Sequence, residues 1–461
     1  MKLLFCDHSD IYEPWGSVRF GASDFANVQA VPTLPFAPSL FLRQEDGSYE
    51  VWGHFVATAV PWQIYRARTR DGITFEDVRV VHDEPGTHWG YSARLLYSPE
   101  LGRFIYTKNT SRPDGHEMYI YHSDDGESWQ AYDGNPVFNE GDAWGGIWSS
   151  VAMKFLMYQK GIQRYEHKGV NEMFLNARRV LTIRASDDGF TWTPDIASDY
   201  KRDMGFTRGM RTLTSPLITP DYQLDQNELD PPDLEFYNGS PYEYEGRYFM
   251  VVNLYSGSFT EPGFSPVRSD GHGSGGSLGN ELWTSRDGLN WERPAQHGGR
   301  GGGGVHNPLL AGNRILIRTN TALTGVPADR LTYVSSWSNS HFLTASFVMG
   351  TQGLAINAKI PGEVSQNDGN AAYVMCELVD DRGQVVDGYD REQCSLTPPL
   401  DLLHHPLRWA GKDGSDLAGE RLRLRIYLRT ANVYAITSPD AVSAADTTAG
   451  GAFVPVTPRP H

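Results

Sequence analysis

The residues of this chain best suited to chemistry are carboxylates set among aromatic side chains. Glu235 stands in Pro231-Pro-Asp-Leu-Glu235 with Leu234, Phe236 and Tyr237 beside it. Apolar neighbours desolvate a carboxyl group and raise its pKa, which is what a general acid working near neutral pH requires. Glu172, in Asn171-Glu172-Met173-Phe174, and Asp24, in Ala22-Ser23-Asp24-Phe25, are the next candidates, with Asp142 and Glu281 weaker ones. Two carboxyl groups flanking a scissile bond, one protonated and one ionised, are the requirement for hydrolysing a glycosidic bond. Each of these acids also admits the plain reading of a solvated loop carboxylate.

Sugar recognition needs flat aromatic faces and forked donors. His88-Trp89-Gly90-Tyr91 with Arg94, Trp144 with Trp148, and the pair Arg178-Arg179 supply them, and Glu281 joins the same binding set. Adjacent arginines on a strand point to opposite faces, so only one of Arg178 and Arg179 can reach a ligand. Arginine suits an anionic sugar, and a structural ion pair equally well. His54, His88 and His306 form a candidate axial cluster. No H-x-x-x-H spacing supports zinc, so no metal ligand is assigned and no cofactor is required; a calcium ion or a water is the expected axial occupant near His306.

These residues must be positioned by a scaffold, and one phrase recurs along the chain that describes it. Thr69-Arg-Asp-Gly72 with Phe75, Ser123-Asp-Asp-Gly126 with Trp129, Ser186-Asp-Asp-Gly189 with Trp192 and Ser285-Arg-Asp-Gly288 with Trp291 each follow a β-rich run. Asp-Gly supplies a turn able to take positive φ, and the aromatic can pack over the hairpin. Spacings of about 50 to 65 residues, with one gap of about 100, fit the four-stranded blades of a β-propeller with one insertion. Blade one runs from about Pro38 to Val81, blade two opens at Tyr91, blade three at Ser149, blade four near Phe236 and blade five at His306. The fifth lacks an Asp-Gly-x-x-Trp hairpin, and Ser17-Val-Arg-Phe20 is expected to supply its outer strand. The repeat aspartates Asp71, Asp125, Asp188 and Asp287 are turn residues. Glycine clusters at 272–279 and 298–304 read as mobile loops, linkers or a lid.

After about Ser340 the pattern becomes short alternating strands such as Leu422-Arg-Leu-Arg-Ile-Tyr-Leu428, the pattern of a β-sandwich. The expected fold is therefore all-β: a five-bladed β-propeller over 1–340, a β-sandwich over 341–440 and a disordered tail over 441–461.

A formal net charge of −16 argues against nucleic acid or an anionic membrane surface as partner, because both need basic clusters. Met1-Lys-Leu-Leu-Phe-Cys-Asp7 turns polar too early for a signal peptide, so a cytoplasmic location and a small carbohydrate substrate are expected. Cys6, Cys376 and Cys394 cannot all pair and read as reduced structural residues. The sandwich offers an edge or face for a homo-oligomer.

The propeller-plus-sandwich order resembles the clan of glycoside hydrolases that includes invertase/inulinase-type fructosidases and, for the propeller alone, arabinanases and xylosidases. Leu3-Leu-Phe-Cys-Asp7, Glu235-Phe-Tyr with Tyr244-Glu-Gly-Arg-Tyr248, and Leu282-Trp-Thr-Ser-Arg-Asp-Gly288 are similar to bacterial family 32-like glycosyl hydrolases. Glu377-Leu-Val-Asp-Asp-Arg-Gly383, Gly388-Tyr-Asp390, Arg408-Trp409 and Arg421-Leu-Arg-Leu-Arg425 resemble that family's appended module, and Val305-His-Asn307 is similar to the fifth-blade Gly-His-Asn of arabinanase-like enzymes. The resemblance implies an exo-acting glycosidase with a furanoside preference. The clan places an acid on the first strand of blades one, two and four, where this chain has Ala37-Pro-Ser39, Tyr91-Ser-Ala93 and Asn238-Gly-Ser240. A carbohydrate-binding protein without catalysis is therefore an alternative, as is a polysaccharide lyase or transglycosylase built on Tyr91, His88 and Arg94.

Overall fold

The computed structural model describes residues 1–55, 62–84, 93–112, 115–139, 144–164, 177–193, 210–211, 217–218, 234–256, 277–293, 308–318, 322–362, 371–396 and 398–443. The side chains of 111–112, 115–116, 161–164, 177–180, 210–211, 217–218, 234–235, 256, 277–278 and a few single residues among these lie outside that description, as do Phe55 and Asn139. The protein is all-β: among the described residues the helical content is three 3-10 turns, His8–Asp10, Arg391–Gln393 and Ser415–Leu417. It divides into two units, Ala22–Ala328, and Met1–Gly21 with Asp329–His461.

Among the described residues the first unit holds five sheets, nearly all antiparallel. Sheet one runs Ala37–Arg43, Tyr49–Phe55, Trp62–Thr69, Glu76–Glu84 in spatial as in chain order. Sheet two repeats this with Ala93–Ser98, Arg103–Arg112, Gly115–Ser123 and Gln130–Ala131, and sheet four with Leu234–Tyr244, Arg247–Ser256, Ser277–Ser285 and Trp291–Glu292. Sheet three starts at Trp144–Ser149, continues through Lys154–Arg164 and Ala177–Ser186, and ends on Leu217–Ile218. Its opening lies earlier than the expected Ser149, because Ser150 to Met153 form the first hairpin turn rather than a strand. Sheet five is Leu309–Ala311, Arg314–Arg318 and Ala322–Pro327, completed by Ala26–Ala30. The outer strand thus comes from the N-terminal segment, from Ala26–Ala30 and not from Ser17–Phe20.

The recurring Asp-Gly phrase is a small hydrogen-bonded unit. In the second copy the Gly126 N–H donates to Ser123 Oγ at 2.9 Å, Glu127 and Ser128 N–H both donate to Asp125 Oδ1 at 2.7 Å, and the Trp129 indole donates to the Gly126 carbonyl at 3.2 Å. Backbone N–H of Ser128 and the Ser123 hydroxyl hold the Asp125 carboxyl below the usual carboxylate range. The glycines at 72, 126, 189 and 288 have φ between +70° and +84°, a region that favours glycine. Each turn also seats on the neighbouring sheet: Gly126 against Trp52, Gly189 against Ile105, Gly288 against Leu156, and Gly72 against Leu309. Sheets therefore follow one another as five, one, two, three, four, with an apolar layer in each gap. Leu40 and Trp52 meet Leu95 and Phe104 between sheets one and two. Ile147 and Leu156 meet Phe236 and Met250 between three and four. Phe41 and Val51 meet Leu309 and Leu316 between one and five.

First strands approach each other closely where the sequence is small. A Cβ at Gly145 would lie 2.1 Å from the Gly239 carbonyl oxygen and 2.7 Å from Pro241 Cδ. Gly145→Ala must push two backbones apart, and we expect a loss of about 2–3 kcal/mol in urea unfolding. An unchanged unfolding midpoint would contradict this packing.

In the second unit, Arg19–Ala22, Thr332–Ser336, Ala431–Thr437, Ala355–Ile360 and Leu400–Pro406 form one sheet, with Lys2–Leu4 beside Ala431–Thr437. Ile11–Trp15, Ser340–Thr344, Arg421–Arg429 and Tyr373–Val379 belong to a second. Phe5, Val334, Ile356 and Val433 share one apolar core with Phe342, Val374, Leu424 and Ile426. The boundaries differ from 1–340 and 341–440 because Lys2–Leu4 and Ile11–Trp15 pair with strands beyond residue 340. The tail differs as well, since Val442–Ser443 pairs with Phe347–Val348; 444–461 lie outside the described residues. Cys6, Cys376 and Cys394 are buried free thiols.

Candidate functional site

The first strands of all five sheets wall a single cavity of about 540 Å³. Ser39, Arg94, Gly145 and Pro308 line it near the starts of four of these strands, and Arg43, Tyr97, Trp148 and Glu245 near the ends of theirs. A volume of this size accommodates one or two sugar rings. The strand-starting end carries one charged group among the described lining residues, Arg94. Burial lowers its pKa to about 10, and its Nη1 donates to the Ala93 carbonyl at 2.7 Å.

Ser39, in the wall, forms a buried pair with His54 behind it, Oγ and Nδ1 lying 3.0 Å apart. His54 sits on the second strand of sheet one, in register with Ala37. Burial, helped by the Arg94 charge, holds its pKa at about 3 against an ordinary 6.5. His54 is therefore neutral at physiological pH, and either member of the pair can donate. Because the folded pKa is depressed, the unfolded chain binds the extra proton first. Stability is lost as pH falls from about 6.5 toward about 3, at about 1.4 kcal/mol per pH unit in that window. A His54→Gln protein should lose this part of the acid limb when its unfolding free energy is measured against pH; an identical slope would contradict the assignment.

At the other end, Glu243 lines the cavity with its pKa raised, first by burial and then by the charge of Glu100. Between sheets one and two, and outside the cavity lining, Lys108 Nζ donates to Glu84 Oε2 and lies 5.2 Å from the Trp62 ring and 5.0 Å from the Tyr121 ring. Burial lowers the Lys108 pKa and raises that of Tyr121. Neither group nor the Ser39–His54 pair was singled out by sequence reasoning as chemistry-bearing, although His54 was placed near the axis. The available signal was the alternation of Tyr49 to His54, which puts His54 beside the first strand's start.

Glu235 lies near the start of Leu234–Tyr244, the first strand of sheet four, opposite Tyr255 on the next strand. Tyr237 stacks on Tyr255 with centroids 4.8 Å apart and planes at 22°, and Lys160 Nζ lies 4.8 Å from the Tyr237 ring. Arg178 and Arg179 lie on the third strand of sheet three, opposite Gln163 and Ile162. The side chains of Glu235, Arg178 and Arg179 are not among those described. Glu172, Asp142, His88, Trp89, Tyr91 and His306 lie outside the described residues.

Three candidates are corrected. Asp24 is exposed and immediately precedes Ala26–Ala30, which is separated from the cavity-lining strand of sheet five by two others. At about 4.8 Å per strand this is some 14 Å from the axis-facing strand, too far to replace a first-strand acid. Glu281 is fully buried in an ion pair: Arg293 donates to Oε1 at 2.6 Å and to Oε2 at 2.8 Å, and the Trp283 indole donates to Oε1 at 3.0 Å. Its lone pairs are committed to the protein, so it does not bind substrate. Trp144 is likewise fully buried, its indole donating to Thr107 Oγ1 at 3.2 Å, and offers no face to a sugar. Trp148 does line the cavity, though at 6% exposure most of its ring packs in the layer between sheets two and three. Arg94 is the one binding candidate that reaches the strand-starting end of the cavity among the described residues.

Among the described residues no group of His, Cys, Asp and Glu is arranged to hold a metal ion. A scan against protein-family models finds no match, and no curated protein matches the chain. In structure the chain is similar to glycoside hydrolases. The fructofuranosidase from Schwanniomyces occidentalis complexed with fructose is 10% identical over 95% of this chain and 99% of that one, with a TM-score of 0.35. A glycosyl hydrolase from Bacteroides ovatus is 12% identical over 67% and 97%, with a TM-score of 0.36. Zg3597, a family 117 glycoside hydrolase produced by the marine bacterium Zobellia galactanivorans, is 11% identical over 62% and 77%, with a TM-score of 0.31.

Proposed function

We propose that this chain is a glycoside hydrolase, exo-acting on a small glycoside or oligosaccharide, built as a five-bladed β-propeller with an appended β-sandwich. The observation that carries the reading is the cavity walled by the first strands of all five sheets, with Arg94 near the start of one of them; Glu235, near the start of Leu234–Tyr244, lies outside the described lining, and its part in the chemistry is carried over from the sequence. Such a cavity holds a terminal sugar, and Arg94 at its strand-starting end binds hydroxyl or carboxylate oxygens. Glu235 serves as general acid, the role its sequence setting beside Leu234, Phe236 and Tyr237 suits. Glu172 supplies the second carboxylate, acting as nucleophile or base. General acid–base chemistry of this kind needs no metal or organic cofactor. Furanosides are the first substrates to try.

A second reading, carbohydrate binding without turnover, is favoured by one observation: the described lining at the strand-starting end contains Ser39, Arg94 and Gly145 but no carboxylate. Reducing-sugar release from aryl furanosides, pyranosides and uronides separates the two. Turnover supports hydrolysis; saturable binding with no turnover supports the second reading.

A further inference from the structure

We propose that the second unit carries a separate binding site for an acidic saccharide on the outer face of its Ile11–Trp15, Ser340–Thr344, Arg421–Arg429, Tyr373–Val379 sheet. Strand alternation builds it. Along Arg421–Arg429, Leu422, Leu424, Ile426 and Leu428 enter the core, leaving Arg425, Tyr427 and Arg429 on the opposite face. Trp15 pairs with His341, His341 with Tyr427 and Tyr427 with Met375, so one row of side chains crosses four strands.

The row lines a cavity of about 750 Å³ together with Tyr373, Arg391 and Arg429. Trp15 is 61% exposed, yet its ring is held nearly parallel to that of His341, with centroids 5.6 Å apart and planes at 15°. An indole fixed in orientation and open to solvent is a platform for the C–H face of a sugar ring. His341 in turn lies 5.2 Å from Tyr427, over which the Arg391 guanidinium sits at 4.6 Å. Tyr373 Oη donates to Asn339 Oδ1 at 3.1 Å, fixing the far wall.

Charge selects among saccharides. Arg425 is committed to Glu377 at 2.6 Å, and Arg391 to Glu392 at 2.9 Å. Arg429 makes no side-chain hydrogen bond or ion pair among the described residues, and it faces the cavity. Two guanidinium groups, Arg391 and Arg429, against the single carboxylate of Glu392 leave the lining net positive without any contribution from His341. A ring stacked on Trp15 with a carboxylate or sulfate taken up by Arg429 satisfies both features.

The test is calorimetric titration of the full chain with hexuronate and sulfated oligosaccharides and their neutral counterparts, for wild type, Trp15→Ala and Arg429→Gln, with melts recorded for each. We expect an acidic oligosaccharide to bind, Trp15→Ala to weaken it about tenfold or more, and Arg429→Gln to erase the preference over the neutral counterpart. Which acid group binds distinguishes carboxylate from sulfate. Binding indifferent to both substitutions would belong to the other unit's cavity and overturn the proposal, as would equal affinity for neutral chains or no binding at all.

Discussion

Replacing Glu281 by Ala should destabilise the protein by about 3–5 kcal/mol in urea or thermal unfolding, a large fraction of what holds a domain folded. The side chain is fully buried on the third strand of sheet four and accepts both arms of the Arg293 fork together with the Trp283 indole. Removing it strips the bidentate partner from a guanidinium whose own side chain is 1% exposed and lies 5.7 Å from the Phe236 ring. Taking one partner out of a buried ion pair costs far more than the pair contributes relative to apolar residues. The Glu281→Leu, Arg293→Met double variant should therefore recover much of the loss. A single substitution costing under about 1 kcal/mol would mean the pair is solvated in solution. This residue was a substrate-binding candidate in sequence, and the experiment separates the roles, since a binding residue alters affinity with little change in the melt.

The second large effect is catalytic. If Glu235 protonates the leaving group, Glu235→Gln should lower kcat by about 10²- to 10⁴-fold on glycosides with poor leaving groups. The loss should shrink for dinitrophenyl glycosides, whose aglycone departs without a proton. The basic limb of the pH–rate profile should vanish in the variant, because the group that must stay protonated is gone. A uniform loss across leaving groups would indicate a positioning role instead.

Sequence carried much of the scaffold and less of the site, for identifiable reasons. Asp-Gly turns are local: Ser123, Asp125, Gly126 and Trp129 satisfy one another within seven residues, so the phrase reads correctly wherever it stands. Strand alternation in Arg421–Arg429 is local too. Long-range pairing is not. Nothing near Lys2–Leu4 announces its partner at Ala435 to Thr437, and nothing near Ala26–Ala30 announces Ala322–Pro327, so the unit boundary and the outer strand of sheet five were misplaced. A different limit governs the site. Glu281 and Arg293 face each other across the fourth Asp-Gly turn, and Ser39 and His54 across the hairpin joining Ala37–Arg43 to Tyr49–Phe55, so both pairs are hairpin relations the sequence does contain; what it does not contain is which of these side chains is buried. Trp144 resembles a sugar platform in composition, but its position on a first strand between two sheets buries it completely.

The proposal that this chain hydrolyses a glycosidic bond with Glu235 as acid stands or falls on turnover. Its most direct test is reducing-sugar release by the wild-type chain and by Glu235→Gln from one panel of aryl furanosides, pyranosides and uronides, with both melts recorded. The account predicts release by the wild type on at least one glycoside and its collapse in the variant at an unchanged melting temperature. Release that survives the substitution, or an unsaturated ultraviolet-absorbing product in place of reducing sugar, would contradict it.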